Sequence, residues 1–101
     1  MARIVWSKRA ADDLESICSH IEADSEHYAR IVARRVVETV DSILTMPESG
    51  SIVPEYDQTE IRERFVYRYR IVYRIAANEV EIVMIRHASR LLPDRPPGDS
   101  L

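Results

Sequence analysis

Four side chains in the second half of the chain are of the types that phosphate chemistry uses: Arg62, Arg70, Arg74 and His87. Guanidinium groups stabilise the charge that builds on a phosphoryl group under attack, and a histidine beside them can move a proton. Gathered on an open sheet face, they would make a nuclease centre. The plainer alternative is structural. Arg74 would pair across the sheet with Glu81, and the other arginines would meet acidic side chains of a protein partner. Other chemistries lack their signatures. The single cysteine, Cys18, is read as a semi-buried helix residue, and no Cys/His spacing suits a metal. No G-x-S-x-G motif occurs, and two glycines, Gly50 and Gly98, cannot build a phosphate-cradling loop. Neither a metal nor a cofactor is expected.

The elements that must position these residues follow from periodicity. Residues 2–6 are a short strand, and Ser7 is placed to cap the helix after it. Ala10, Leu14, Ile17 and Ile21 recur at helical spacing from Lys8 to about Ala23. Ser25 caps a second helix over 26–45, with Tyr28, Val32, Val36, Val40, Ile43 and Leu44 on one stripe. Pro47 ends it, and MPESGSIVPEYDQ reads as a loop. Beyond Glu60 the period becomes two, which predicts strands at about 61–67, 69–76 and 79–86.

An Ala77-Asn78 hairpin loop would pair Ile75 with Val80, Tyr73 with Ile82 and Ile71 with Met84. On the opposite face it would pair Arg74 with Glu81 and Val72 with Val83. An odd-length loop near Arg68 would bring Ile61 and Phe65 beside Ile71 and Tyr73. The expected fold is α+β, βααβββ, with two helices on one face of a mostly antiparallel four-stranded sheet. Its helix-covered face would hold Ile61, Phe65, Ile71, Tyr73, Ile75, Val80, Ile82 and Met84. Its other face would carry Arg62, Arg64, Val66, Arg70, Val72, Arg74, Glu81, Val83, Ile85 and His87. Residues 1–92 form the single domain, and the proline-rich segment 93–101 is expected to be a flexible tail.

The chain has 101 residues, enough for one domain with a modest core. Its net charge of −3 is unevenly spread. Residues 1–60 carry −6, residues 61–90 carry +4, and the remainder carries −1. Thirteen of the fourteen basic residues are arginine, with Lys8 the exception. Arginine favours planar, multi-donor recognition of carboxylates and phosphates. There is no apolar run of membrane-spanning length, and MARIVWSK does not read as a secretory leader. A cytoplasmic location away from membranes is expected.

The segments IVWSKRAADDLESICSHI, ILTMPESG, IRERFVYRYRIVYRI and VEIVMIRHASR, in that order, resemble ParE/RelE-type toxins of type II toxin–antitoxin systems. The likeness runs from residue 3 to about 92. It is most specific in Ser-x-x-Ala-x-x-Asp-Leu and Tyr-Arg-Ile-Val-Tyr-Arg. It implies the βααβββ fold and a cognate antitoxin partner in a hetero-oligomer. It also implies one of two activities, poisoning of DNA gyrase (ParE-like) or ribosome-dependent mRNA cleavage (RelE-like).

RelE-like members commonly carry a tyrosine past the last strand, where SRLLPDRPPGDSL has none. Docking on ribosomal RNA also asks for a strongly basic surface, which this acidic chain lacks. The ending His87-x-x-Arg90 is similar to one often seen in the ParE-like branch. Gyrase inhibition is therefore the expectation, with endonucleolytic mRNA cleavage or a homologue that has lost activity as alternatives. In the RelE-like case Arg62, Arg70, Arg74 and His87 would be catalytic. Otherwise Arg62, Arg70, Val72, Arg74, Val83, Ile85, His87 and Arg90 are the candidate partner-binding set, and the chain itself reads no DNA sequence. Trp6 is expected to be a core anchor, and Tyr67 and Tyr69 half-exposed strand aromatics.

Overall fold

The computed structural model describes residues 2–97. Strand β1 (Arg3–Trp6) runs straight into helix α1 (Lys8–Glu22), and Ser7 makes the joint. Its Oγ accepts the Ala10 N–H at 2.9 Å, which caps the helix, and donates to the Val83 carbonyl at 2.9 Å. Helix α2 (Glu26–Thr45) starts the same way, with Ser25 Oγ accepting the Tyr28 N–H at 3.1 Å. Both caps and both helix spans are those read from the sequence.

A 3-10 turn at Pro47–Ser49 leads to strands β2 (Ser51–Ile52), β3 (Ile61–Val66), β4 (Tyr69–Ile75) and β5 (Glu79–His87). The sheet order is β1-β5-β4-β3-β2, with β1 parallel to β5 and every other pair antiparallel. The sheet thus has five strands rather than four. The added one is two residues long and lies in the stretch expected to be loop, too short for an alternating pattern to reveal.

Two local features reset the expected faces. The β3–β4 connection is the two-residue Tyr67-Arg68, not an odd-length loop, and Tyr67 takes the positive φ (53°) that such a tight hairpin requires. Val66 therefore faces Tyr69, while Ile61 and Phe65 turn away from the helices. The second feature is a bulge between β4 and β5. Ile75↔Val80, Arg74↔Glu81 and Tyr73↔Ile82 pair as expected, but Val72 then meets Met84, and Ile71 meets Ile85. One extra residue, Val83, reverses the parity of everything after it. Met84 moves to the face away from the helices, while Ile85 and His87 move to the helix side.

Each sheet face consequently has its own core. Val66, Ile71, Tyr73, Val80, Ile82 and Ile85 pack under the helices with Ala10, Val32, Val36, Val40 and Ile43, and Trp6 and Leu14 close the edge. Val72, Val83, Met84 and Ile61 pack on the other face beneath Val53, Tyr56 and Leu92. That second face is not open. The 53–60 loop and the segment after β5 cover it, with Tyr56 Oη donating to the Pro93 carbonyl at 2.7 Å. Residues 98–101 of the expected tail lie outside the described residues.

Two polar clamps hold the β2 region. The fully buried Tyr73 hydroxyl donates to the Pro47 carbonyl and accepts the Gly50 N–H at 3.0 Å. Burial pushes this phenol's pKa up. A Cβ at Gly50 would lie 2.5 Å from both the Tyr73 oxygen and the Glu63 carbonyl oxygen, so only glycine fits. On the second face Arg70 grips Glu55 with two hydrogen bonds (2.7 and 2.8 Å) and Glu63 with a third (2.6 Å). Arg70 and Glu63 are both buried, and the pair of carboxylates raises the guanidinium pKa above its ordinary value. The Arg70 hydrogen bonds hold the Glu55 carboxyl below the usual range.

Gly50→Ala should destabilise the domain by about 1–3 kcal/mol through overpacking. Tyr73→Phe should cost about 1–3 kcal/mol by leaving the Gly50 N–H unsatisfied. Either loss lowers Tm by roughly 4–8 °C per kcal/mol in thermal melts. Because the folded Glu55 pKa is depressed, its stabilisation is present above the unfolded value and disappears as pH falls through the folded one. Glu55→Gln should therefore lower Tm at neutral pH and flatten its decline below about pH 4.3, the ordinary glutamate range. An unchanged acid limb in melts from pH 3 to 7 would contradict this assignment.

Candidate binding cleft

The arginines singled out by type do not converge. Arg62 and Arg64 stand opposite Tyr73 and Ile71, on the helix side. Arg62 donates to the Thr59 and Gly50 carbonyls, and Arg64 donates to Ser49 Oγ at 2.9 Å. Arg70 is on the far face inside its carboxylate clamp. Arg74 is also there, paired with Glu81 at 3.1 Å and donating to the Pro97 carbonyl at 3.4 Å. His87 lies opposite Tyr69, at the other end of β4 from Arg74 and on the helix side. The expected single face holding Arg62, Arg70, Arg74 and His87 is thus split in two by the tight hairpin and the bulge. The expected aliphatic strip is split too. Val72 and Val83 are buried beneath the chain's own loop, and Ile85 is in the helix-side core.

What the fold does bring together is a different set. Strand β1 ends at Trp6, opposite Ile82, while β5 continues to His87. Past that point α1 runs beside the outer edge of β5. Asp13 Oδ2 accepts the Ile85 N–H at 3.0 Å, taking the place of a missing strand. Farther on, helix and strand diverge and leave a cleft of about 680 Å³. Ser16, Ile17 and His20 line it from the helix, Tyr69 and Ile85 from the sheet, and Arg86, His87, Ser89 and Arg90 from the end of β5 and its turn. Of the expected partner-binding residues, Ile85, His87 and Arg90 are here.

The turn is built by His87. Its carbonyl accepts the Arg90 N–H at 2.9 Å, and its Nδ1 accepts the Ser89 N–H at 3.1 Å with Ser89 Oγ 2.7 Å away. A backbone N–H can only donate, so Nδ1 is the acceptor of this bond. The Tyr69 ring meets the imidazole edge-on, with centroids 5.6 Å apart. Arg86 Nε is buried with no hydrogen-bond partner among the described residues.

Sequence reasoning missed Asp13, Ser16, His20, Arg86 and Ser89 as cleft residues. The available signal was the 13-16-17-20 spacing, one face of a helix. Cys18 is half-buried on α1, where burial and nearby Glu22 push its thiol pKa up. No cluster among the described residues has the makings of a metal site, and no described helix is long and apolar enough to cross a membrane.

Comparison with known proteins places this architecture. Residues 4–92 match the model of the ParE toxin of the type II toxin–antitoxin system parDE. The chain is similar to Toxin RelE2 of Caulobacter vibrioides, 38% identical over 92 residues that span 90% of this chain and all of that one. Its fold is similar to a chain of the chromosomal ParDE toxin–antitoxin system from P. aeruginosa, with a TM-score of 0.71, 21% identity, and coverage of 88% of this chain and 97% of that one. The matched span takes in most of the chain, and the chain belongs to the ParE toxin family of type II toxin–antitoxin systems.

Proposed function

We propose that this toxin acts by binding DNA gyrase, that a cognate antitoxin holds it silent, and that both events take place in the cytoplasm. The observation that carries the reading is the state of its arginines. Phosphoryl transfer needs cationic and proton-moving groups aimed at one point. Here Arg70 and Arg74 are held by glutamates, Arg62 by carbonyls, and the two sheet faces separate them. His87 lies opposite Tyr69, five residues along β4 from Arg74, about 17 Å of strand. A surface of net negative charge also repels the phosphates that ribosome docking must engage.

The competing reading is ribosome-dependent mRNA cleavage. It draws on the name of the Caulobacter relative and on the meeting of Tyr69, His20, His87 and Arg90 in one cleft. Against it, His87 Nδ1 is engaged by the Ser89 N–H in building the turn.

Purified gyrase should lose supercoiling activity and accumulate a trapped cleavage complex at micromolar toxin. No inhibition and no trapped complex would sink the gyrase reading. Cells expressing the chain should keep intact transcripts, and cuts at fixed codon positions would carry the ribonuclease reading instead.

A further inference from the structure

Exposed aromatic rings gather at one end of the sheet. Phe65 is 56% exposed, Tyr67 50% and Tyr28 45%. Tyr67 and Arg68 are the two residues of the β3–β4 turn, and Phe65 lies just before them on the face away from the helices. From the helix side Tyr28, in the first turn of α2, sets its ring with the centroid 6.2 Å from that of Tyr67. The tip is held firmly. Tyr67 keeps the positive φ of a tight hairpin, Val66 behind it is buried in the helix-side core, and the Arg68 carbonyl accepts the Ala88 N–H at 2.7 Å. Cations surround it. Arg68 and Arg35 are exposed, and Arg64 donates to Ser42 and Ser49. Tyr28 and Arg35, seven residues apart, share one face of α2. None of these three arginines has a carboxylate partner among the described residues.

We propose that the β3–β4 hairpin tip is the anchor by which this toxin seats itself in an acidic, apolar-lined depression on gyrase. The proposal rests on the gyrase reading and names the surface that reading leaves unassigned. Three features select the occupant. Aromatic and arginine side chains on a firm support are the residues that carry most of the energy of a protein contact, and they do so by filling a pocket of the partner. The unpaired arginines call for carboxylates on that partner. The tip is also convex, which suits a folded partner with a concavity. A segment that orders as it binds lies instead in a groove, and the clefts at the end of β5 and between α1 and α2 are not lined by Phe65, Tyr67, Arg68 or Tyr28. A second copy of the chain fits poorly, because two such tips would bring arginines against arginines. Nucleic acid is also the poorer fit. Glu55 and Glu63 gather about Arg70, the residue opposite Phe65, so the Phe65 side of the tip is not cationic.

The test measures affinity for purified gyrase and inhibition of supercoiling, with Tm recorded for every variant. Tyr67→Asn removes the ring and keeps a residue that tolerates a positive φ. Arg68→Glu reverses an exposed charge at the tip. Each should weaken gyrase binding by about tenfold or more, the effect of losing an interface anchor, and raise the toxin concentration needed for inhibition in step. Tm should barely move, because surface substitutions change stability little. Val37→Ser removes an exposed apolar group from the opposite side of α2 and should bind gyrase as the wild type does. Unchanged gyrase affinity in both tip variants would overturn the proposal, as would an equal loss in Val37→Ser. An equal loss of affinity for the antitoxin would assign the tip to the antitoxin instead. Binding of the wild type to nicked duplex DNA without gyrase, weakened by Tyr67→Asn, would assign it to DNA. A wild-type chain that does not bind gyrase at all strikes the gyrase reading and this proposal with it, whereas a wild type that binds alongside unaffected variants strikes the tip alone.

Discussion

The structure depends on how the outer edge of β5 is completed after β1 runs out. Four residues of β1 cover a strand of nine, and the remaining edge groups would be buried against α1 without partners. The chain solves this with side chains from that same helix. The Ser7 hydroxyl donates to the Val83 carbonyl while it caps α1, and the Asp13 carboxylate accepts the Ile85 N–H. One serine therefore ties the helix start to the bulged stretch of β5. Ala10, fully buried between them, keeps the helix close enough for both bonds. The Ser-x-x-Ala-x-x-Asp-Leu pattern is this geometry written in sequence: cap, close approach, edge acceptor and core contact.

From that joint follows the division of the sheet into two cored faces. The bulge at Val83 sends Ile82 and Ile85 to the helices and leaves Val83 and Met84 for the opposite side. A face with that much aliphatic surface must be covered, and the 53–60 loop does so. Loops carry polar backbone, so this one needs anchors of its own. Arg70 supplies them by holding Glu55 in the loop and Glu63 in the sheet, and Tyr73 reaches through to Pro47 and Gly50 from the helix side. The arginine-rich strands that look like a phosphate site are thus largely scaffolding. Arginine suits that work, since its planar fork stays charged when buried and satisfies two carboxylates at once.

Much of this was legible in the sequence, and what was not has an identifiable cause. Both serine caps, both helix spans, four of the five strands and the Arg74–Glu81 pair follow from periodicity and propensity alone. The face assignment failed at two residues. Tyr67 accepts a positive φ, which no alternation pattern signals, and Val83 is an extra residue whose carbonyl meets Ser7, 76 residues away. Each shifts register by one, and in a strand one residue exchanges the two faces completely. Strand β2 escaped because two residues show no period. The candidate site inherited these errors. Side-chain types alone suggested Arg70 and Arg74, whereas the cleft is set by where β1 stops, which only the pairing reveals.

The same constraint bears on what kind of molecule this is. Both faces of the sheet are occupied by the chain's own cores, so the surfaces left to meet other molecules lie at its borders. What remains is edge: the end of β5, the tip of the β3–β4 hairpin, and exposed apolar groups such as Phe65 and Tyr67 at its rim. Edges and hairpin tips are good places for contact with another protein, where backbone pairing and a few aromatic or arginine anchors provide most of the affinity. The end of β5 and the hairpin tip are where this domain presents such groups, Arg90 at the one and Tyr67 at the other.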